Sequence, residues 1–103
     1  METMQQLQKL FDDNVTWQWE TFGPGYNPLP SLHHLKKEVQ EAIDEPHNLE
    51  EYADIFLMTL AAVDRAGFDL PDLLKAAKDK FIICKQRKWG PPDENGVCEH
   101  IRE

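Results

Sequence analysis

The stretch YADIFLMTLAAV, residues 52–63, decides the fold class of this 103-residue chain. Asp54 is its only charged residue, and Thr59 is its only other clearly polar one. A helix that is apolar on every side is expected to be buried on every side. We therefore predict a buried helix within a small helical protein, with Asp54 in an apolar setting that a lone carboxylate does not tolerate.

Helical segments without a convincing strand can also be read on both sides of this stretch. Apolar residues recur every three or four positions from Met4 to Phe22, which predicts a first helix. The run 23–30 contains three prolines and two glycines, and it ends that helix. The second helix is predicted to start near Ser31 and to end before Pro46.

The third helix, which contains the quoted stretch, is predicted to run from a cap at Asn48 to Gly67, and the fourth to start at Asp69. Residues 90–103 read as a C-terminal tail. Residues 1–103 are thus expected to form one all-α domain, a small four-helix bundle with short connections. A core this small leaves apolar surface uncovered, so we also expect an oligomer.

The charge balance limits the classes of partner. Eleven Lys and Arg against 19 Asp and Glu give a net charge of −8. This balance argues against long nucleic acids and membrane surfaces, but not against single nucleotides, because a divalent cation can reverse the local field. No apolar run is long enough for a signal peptide or a membrane span. Cys84 and Cys98 form no disulfide or zinc framework, so we expect free thiols in a reducing cytoplasm.

Acidic residues occur in two pairs on the second and third helices. Glu51 lies one turn before Asp54 on the same face, and Glu38 and Glu41 are likewise three residues apart. Only a few residues around Pro46 join the two helices. We therefore expect antiparallel packing that brings the four carboxylates near one another.

Four gathered carboxylates require a compensating cation. Two like charges about 4 Å apart repel by about 4 kcal/mol at an effective dielectric constant of about 20. Oxygen ligands without a neighbouring Cys or His favour Mg²⁺ or Mn²⁺ over zinc. We therefore predict metal binding by four residues: Glu38, Glu41, Glu51 and Asp54.

Each acid also has a simpler interpretation. The pair on the second helix could be a solvated face beside neighbouring lysines, and Glu51 could close a capping box with Asn48. Asp54 could pair with an arginine of the core. Taken together, the matched spacing and the apolar setting of Asp54 favour the metal site.

A basic edge is predicted on the fourth helix, where Lys80, Cys84 and Arg87 share one side and Trp89 follows. Basic side chains near a carboxylate-held cation can hold phosphate oxygens and neutralise charge on a leaving group. Taken alone, however, these residues are better explained as long side chains spread over the surface.

The spacing Glu38-x-x-Glu41 followed by Glu51-x-x-Asp54 resembles the paired motif of the MazG-like all-α nucleoside triphosphate pyrophosphohydrolases. Further segments are similar to the small, often phage-encoded MazZ-type dATP/dGTP diphosphohydrolase branch. They are residues 20–24 (ETFGP), the Lys80…Arg87-x-Trp89 edge and residues 92–102 (PDENGVCEHIR). One position departs from the expected pattern, because Cys84 stands where an asparagine is expected between the lysine and the arginine.

The resemblance implies hydrolysis of a (deoxy)nucleoside triphosphate, dGTP or dATP for this branch, to the monophosphate and pyrophosphate. It implies Mg²⁺, replaceable by Mn²⁺, and we expect two or more ions per site. It also implies a homodimer or a dimer of dimers (homotetramer), in the cytoplasm of a bacterium or of a phage-infected host. Catalytic roles are expected for Glu38, Glu41, Lys80 and Arg87.

Expected substrate contacts come from the first two helices, the loop between them and the basic edge. The residues are Trp17, Tyr26, His34, Lys80, Cys84, Arg87 and Trp89. Trp17 and Tyr26 are candidates for stacking on a base, whereas Trp19 and Phe22 fall on the apolar stripe of the first helix and are assigned to the core. His34 could contact a base or a phosphate.

Other functions are also compatible with parts of the sequence. A non-catalytic helical dimerisation or regulatory protein would explain the apolar stripes, but not the lone Asp54 within one of them. Among enzymes, the alternative is a dUTP or dCTP pyrophosphatase. A di-iron site is disfavoured because paired Glu-x-x-His motifs do not occur, and zinc is disfavoured by the Cys and His spacings.

Overall fold

The structure, a computed structural model, describes residues 2–102, and it is all-α. Within those residues the chain forms four helices and no strand, as the sequence predicts. The helices are α1 (Thr3–Phe22), α2 (Leu29–Asp44), α3 (Leu49–Arg65) and α4 (Leu70–Gln86). No described helix combines the length and the apolar character that crossing a membrane requires.

The described chain divides into two compact units, the first ending at Leu73 and the second beginning at Leu74. The expectation of one domain over residues 1–103 stays a prediction. In the first unit, α3 packs against both α1 and α2. The core of this unit is formed by residues that are less than a tenth exposed: Phe11, Ala42, Leu60, Ala61, Ala62 and Leu70.

The first half of α3 is not buried in the way the sequence predicts. Asp54 is exposed, and Tyr52 and Phe56 are 50% and 44% exposed. The prediction of a helix buried on every side is therefore wrong for this half of α3 in the single chain. The physical reason is that α1 and α2 pack against part of the circumference of α3 and leave another part open.

Local sequence signals set several of the helix ends. Oδ1 of Asn48 accepts a hydrogen bond from the backbone N–H of Glu50 (3.1 Å), which confirms the predicted cap of α3. Asp69 likewise accepts the backbone N–H three residues later (2.9 Å) at the start of α4. The second helix starts at Leu29, earlier than predicted, because the first turn of a helix tolerates a proline and Pro30 lies there.

Side-chain hydrogen bonds fix α1 and the following loop against α3. Nδ2 of Asn14 donates to the carbonyl of Leu57 (3.0 Å), and Nη2 of Arg65 donates to the carbonyl of Gln18 (3.3 Å). Because both contacts advance in the same direction along the two helices, α1 and α3 run roughly parallel. Nη1 of Arg65 donates to the carbonyl of Gly25 (2.9 Å) and fastens the loop to α3.

In the second unit, the C-terminal segment folds back on itself. The N–H of Gly90 donates to the carbonyl of Glu99 (2.8 Å), and the N–H of Ile101 donates to the carbonyl of Lys88 (2.7 Å). Oδ1 of Asp93 holds the turn between them by accepting the backbone N–H groups two and four residues later. The segment that reads as a tail is therefore ordered by a side-chain turn, a local bond that its glycine and proline content does not reveal.

Candidate active site

The four acids of the predicted metal site come together in the first unit. One carboxylate oxygen from each of Glu38, Glu41, Glu51 and Asp54 lies within 4.8 Å of the others. The three-residue spacing places each pair on one face of its helix, α2 or α3, and the short turn at residues 45–48 brings the pairs face to face. The predicted juxtaposition is therefore found, while the role of these residues as metal ligands stays a prediction.

The cluster contains acceptor atoms that the described chain leaves without a donor. Oε2 of Glu38 and Oε2 of Glu51 are buried and have no hydrogen-bond partner within residues 2–102. Ionised carboxylates are acceptors only, so a cation satisfies such atoms directly. The donor set therefore fits a divalent metal ion that prefers oxygen ligands.

The simpler interpretations of the two acids on α3 do not match the geometry. The hydrogen bond that Asn48 accepts comes from Glu50, and the carboxylate of Glu51 makes no return bond to form a capping box. The buried arginine, Arg65, donates to backbone carbonyls of the first helix and the loop rather than to Asp54.

Crowding of negative charge shifts the pKa of two of the carboxyls. The pKa of Glu38 is raised above its ordinary value by its hydrogen bond with Glu41, then by burial and by the charges of Glu41 and Asp54, while His34 acts in the opposite direction. The pKa of Glu51 is raised first by burial and then by the neighbouring acids. The charges of the neighbouring acids contribute to both shifts, and a bound cation would neutralise that contribution.

A cavity of about 550 Å³ adjoins the acidic cluster, and Glu38 and Asp54 form part of its wall. Its volume is in the range of small-molecule sites. The wall also includes Trp17, whose ring packs edge-on against that of Phe22 with centroids 5.5 Å apart. Nε2 of His34 lies in the wall as well and contacts Oε1 of Glu38 at 2.9 Å.

Tyr26 does not line this cavity in the described structure. Its ring packs edge-on against Trp19, with centroids 5.4 Å apart, and the residue is 73% exposed. Phe22, which the sequence assigned to the core, is 66% exposed and lines the cavity, because it lies in the last turn of α1.

Sequence reasoning missed several polar residues of the cavity wall: Asn14, Gln18, Ser31 and Arg65. Gln18, Ser31 and Arg65 are among the buried residues. Each stands at an ordinary polar position of its helix, so no motif marks it in the sequence. The only signal is the four-residue spacing of Asn14 and Gln18, which is common on any helix.

The basic edge lies in the second unit. The indole Nε1 of Trp89 donates to the backbone carbonyl of Cys84 (3.0 Å), and its ring lies 6.1 Å from that of His100. The pKa of His100 is lowered first by burial and then by the positive charges of Arg87, Arg102 and Lys80. Lys80 and Arg87 thus act on the same imidazole, whereas the predicted contacts of the basic edge with substrate remain predictions.

The sequence match that decides the family covers both units. Residues 10–103 match the model of the family described as dATP/dGTP pyrophosphohydrolase, a range that includes the acidic cluster and the basic edge. The chain belongs to the dATP/dGTP pyrophosphohydrolase family. Membership of this family makes the protein a nucleotide pyrophosphohydrolase, which argues against the non-catalytic alternative.

A solved structure shows the same fold as this dATP/dGTP pyrophosphohydrolase family member. It is a MazG-like pyrophosphohydrolase of cyanophage S-2L, bound to dGDP and three catalytic Mn²⁺ ions per active site. The TM-score is 0.75 with 24% sequence identity, over 91% of this chain and 95% of that chain. The MazG-like resemblance inferred from the acidic motif is thus confirmed at the level of fold. No curated protein matches the chain in sequence.

Proposed function

We propose that this enzyme hydrolyses dGTP or dATP between the α- and β-phosphates in a Mg²⁺-dependent reaction. The products would be the deoxynucleoside monophosphate and pyrophosphate. The observation that carries the proposal is the acidic cluster, in which two buried carboxylate oxygens have no partner among residues 2–102 and which adjoins a cavity of nucleotide size. Family membership and the dGDP-bound cyanophage relative support the substrate class.

Glu38, Glu41, Glu51 and Asp54 would hold the metal ions, two or more per site. When bound, divalent cations supply charge neutralisation of the phosphate oxygens and a water of lowered pKa. The Mn²⁺ ions of the cyanophage relative support this class of cofactor, with Mg²⁺ as the proposed ion here.

The residues of this chain have separate tasks in the proposed reaction. A water oxygen attacks the α-phosphorus, the bond to the bridging oxygen breaks, and pyrophosphate leaves with the bonding electron pair. Glu38 or Glu41 accepts the proton of the attacking water. His34 holds Oε1 of Glu38 and thereby orients that carboxylate.

The other predicted contacts complete the proposed substrate site. Trp17 offers an aromatic face to the base from the cavity wall. Lys80 and Arg87 would neutralise phosphate charge, from the same or a neighbouring subunit, with Cys84 and Trp89 beside them. Tyr26 stays a candidate for base contact from the loop.

A homodimer or homotetramer is proposed as the working form. Large apolar side chains are exposed along the same sides of α2 and α3: Val39, Ile43, Leu49, Tyr52 and Phe56. Large exposed apolar patches often mark protein–protein interfaces. A second subunit placed against them would also cover the open half of α3.

The decisive experiment is a panel of dGTP, dATP, dUTP and dCTP incubated with Mg²⁺ in water enriched in ¹⁸O, with products identified by mass. We expect pyrophosphate and a monophosphate that carries the label, with the purine substrates turned over fastest. Label in a released phosphate, or no turnover of any purine triphosphate, would contradict the proposal. Omission of Mg²⁺ in the presence of EDTA should abolish the reaction.

A further inference from the structure

Two buried polar side chains line the cavity without a hydrogen-bond partner among the described residues. Gln18 on α1 is 8% exposed, Ser31 on α2 is 9% exposed, and both belong to the cavity wall. Within residues 2–102 neither side chain makes a hydrogen bond. Their side-chain polar atoms are not fully enclosed, so a ligand can reach them. Buried polar groups are normally bonded, so a ligand in the cavity is the natural partner.

Several other polar side chains of the wall already bond to the protein. The two terminal nitrogens of Arg65 donate hydrogen bonds to the carbonyls of Gly25 and Gln18. Asn14 donates its amide to the carbonyl of Leu57. The Gln18 amide and the Ser31 hydroxyl are thus the buried uncharged side chains of the wall that make no hydrogen bond within residues 2–102, and each offers both a donor and an acceptor.

Their position along the helices suits the base of a nucleotide whose phosphates lie at the acids. Asn14 contacts Leu57, which is one turn beyond Asp54 on α3, and Gln18 is one turn further on the parallel helix α1. Each residue of helix advances about 1.5 Å, so Gln18 lies about 10 Å beyond the level of Asp54. This separation is comparable to the span of an extended nucleotide from its α-phosphate to the far edge of the base.

The chemistry of the two side chains fits a site that accepts two purines. Adenine carries an amino donor at position 6 beside an acceptor at N1, whereas guanine carries an acceptor at position 6 beside a donor at N1. A primary amide offers both a donor and an acceptor and can turn over, and a hydroxyl can rotate to donate or accept. At the 6-substituent, Arg can only donate and Glu can only accept, so either residue would suit the 6-substituent of only one of the two purines.

We infer that Gln18 and Ser31 bind the edge of the purine base that carries the 6-substituent, and that the reversible Gln18 amide admits both adenine and guanine. The inference rests on the proposed function, because it takes a purine deoxynucleotide as the ligand of the cavity. It assigns base selection to Gln18 and Ser31 rather than to the aromatic side chains of Trp17 and Tyr26.

The first test compares dGTP and dATP with the triphosphate of unsubstituted purine deoxyriboside, which lacks a 6-substituent. The wild-type enzyme should prefer the two natural substrates in kcat/KM by about tenfold or more. Gln18→Met, which keeps the length of the side chain but removes its donor and acceptor, should abolish that preference through KM. Gln6→Met, an exposed change on the same helix, is the matched control and should retain the preference.

The second test measures the ratio of kcat/KM for dATP to kcat/KM for dGTP. Gln18→Glu can accept the amino group of adenine but repels the 6-oxygen of guanine, so the ratio of kcat/KM for dATP over dGTP should rise at least about tenfold. An unchanged ratio, or a shift toward dGTP, would overturn the inference. Ser31→Ala should weaken the preference for both 6-substituted purines over the unsubstituted purine. If circular dichroism shows that neither Gln18 variant folds, the Ser31→Ala result tests the inference alone.

The outcomes separate this inference from the proposed function. If the wild-type enzyme releases pyrophosphate from no purine triphosphate, the proposed function itself fails. If the wild-type enzyme hydrolyses dGTP and dATP while Gln18→Met and Ser31→Ala keep the full preference over the unsubstituted purine, only the inference fails.

Discussion

Glu51 lies in the first turn of α3, and its Oε2 is buried without a partner among the described residues. Burial first, and then the charges of the nearby acids, raise its pKa, so an ionised Glu51 is unfavourable in the folded chain when metal is absent. If the proposed metal site is correct, the same carboxylate would be a ligand of the bound cation, and the unfavourable charge would then be neutralised.

Substitution of this residue should therefore have two opposite effects. In Glu51→Gln the metal-free protein should melt a few degrees higher, because the like-charge repulsion is gone. In the wild type, Mg²⁺ at about 100 times its Kd should stabilise the fold by about 2.7 kcal/mol, and this gain should vanish in the variant. Thermal melts with EDTA or Mg²⁺ measure both effects.

Glu50→Gln is the matched control, since Glu50 is exposed and lies outside the cluster. This variant should keep the Mg²⁺-dependent stabilisation. A Glu51→Gln protein that melts higher with Mg²⁺ to the same extent as the wild type would contradict the assignment of Glu51 to the metal site.

Arg65 is a buried arginine that binds backbone carbonyls of the loop and of α1 rather than the acidic cluster. It is 8% exposed, donates to Gly25 and Gln18, and stacks over the ring of Trp19 at 5.0 Å. Arg65→Met should cost about 2–4 kcal/mol of unfolding free energy in urea, because two carbonyls lose their charged donor. It should also raise KM, because the loop forms part of the cavity wall.

Lys36→Met, an exposed change on α2, provides the comparison for Arg65→Met and should alter neither quantity. An Arg65→Met protein with unchanged unfolding free energy and unchanged KM would show that the loop is held by other contacts. Arg65→Lys should fall between the two, since a single ammonium group cannot reproduce the forked geometry.

At the scale of elements, the folded-back C-terminal segment creates a distinctive environment for one histidine. The pKa of His100 lies below its ordinary value of 6.5. Burial is the largest cause, followed by the positive charges of Arg87, Arg102 and Lys80. The folded chain then holds this proton less tightly than the unfolded chain. The associated stability is present above pH 6.5 and is lost as the pH falls through 6.5 toward the lower folded pKa.

An NMR titration of His100 should therefore give a pKa below 6.5. Arg87→Gln should raise this pKa toward the ordinary value, because one of the positive charges is removed. Arg87→Lys keeps the charge and should leave the pKa low. Titration of wild-type His100 above 6.5 would contradict the environment described for the second unit.

At the scale of the whole molecule, the exposed apolar face of α2 and α3 predicts association. We expect light scattering coupled to gel filtration to show a dimer or a tetramer at micromolar concentration. Phe56→Glu should shift the protein toward the monomer, because a charge in a closely packed interface lacks a partner. Met4→Glu, at an exposed position near the start of α1, should leave the assembly intact.

A monomeric wild-type protein would contradict this prediction. Loss of assembly in Phe56→Glu together with loss of turnover would indicate that subunits complete the active site. Loss of assembly with full turnover would show instead that the site is complete in one chain.

Much of the fold could be predicted from the sequence because its signals are local. The cap at Asn48 and the aspartate at the start of α4 act within a few residues, so their effects are visible before folding. The start of α2 was misplaced because proline tolerance in a first turn and proline as a breaker look alike in sequence. Burial of α3 was overestimated, since composition reveals how apolar a helix is but not how many neighbours cover it.

The sequence by itself determined the two acidic pairs, because a three-residue spacing on a helix fixes which side chains share a face. Only the tertiary structure decided which groups those acids adjoin. Gln18 and Ser31 belong to different helices joined by a loop, and packing against α3 brings both into one cavity wall. Spacing within a helix is a local property of the backbone, whereas a cavity arises from the way separate helices pack.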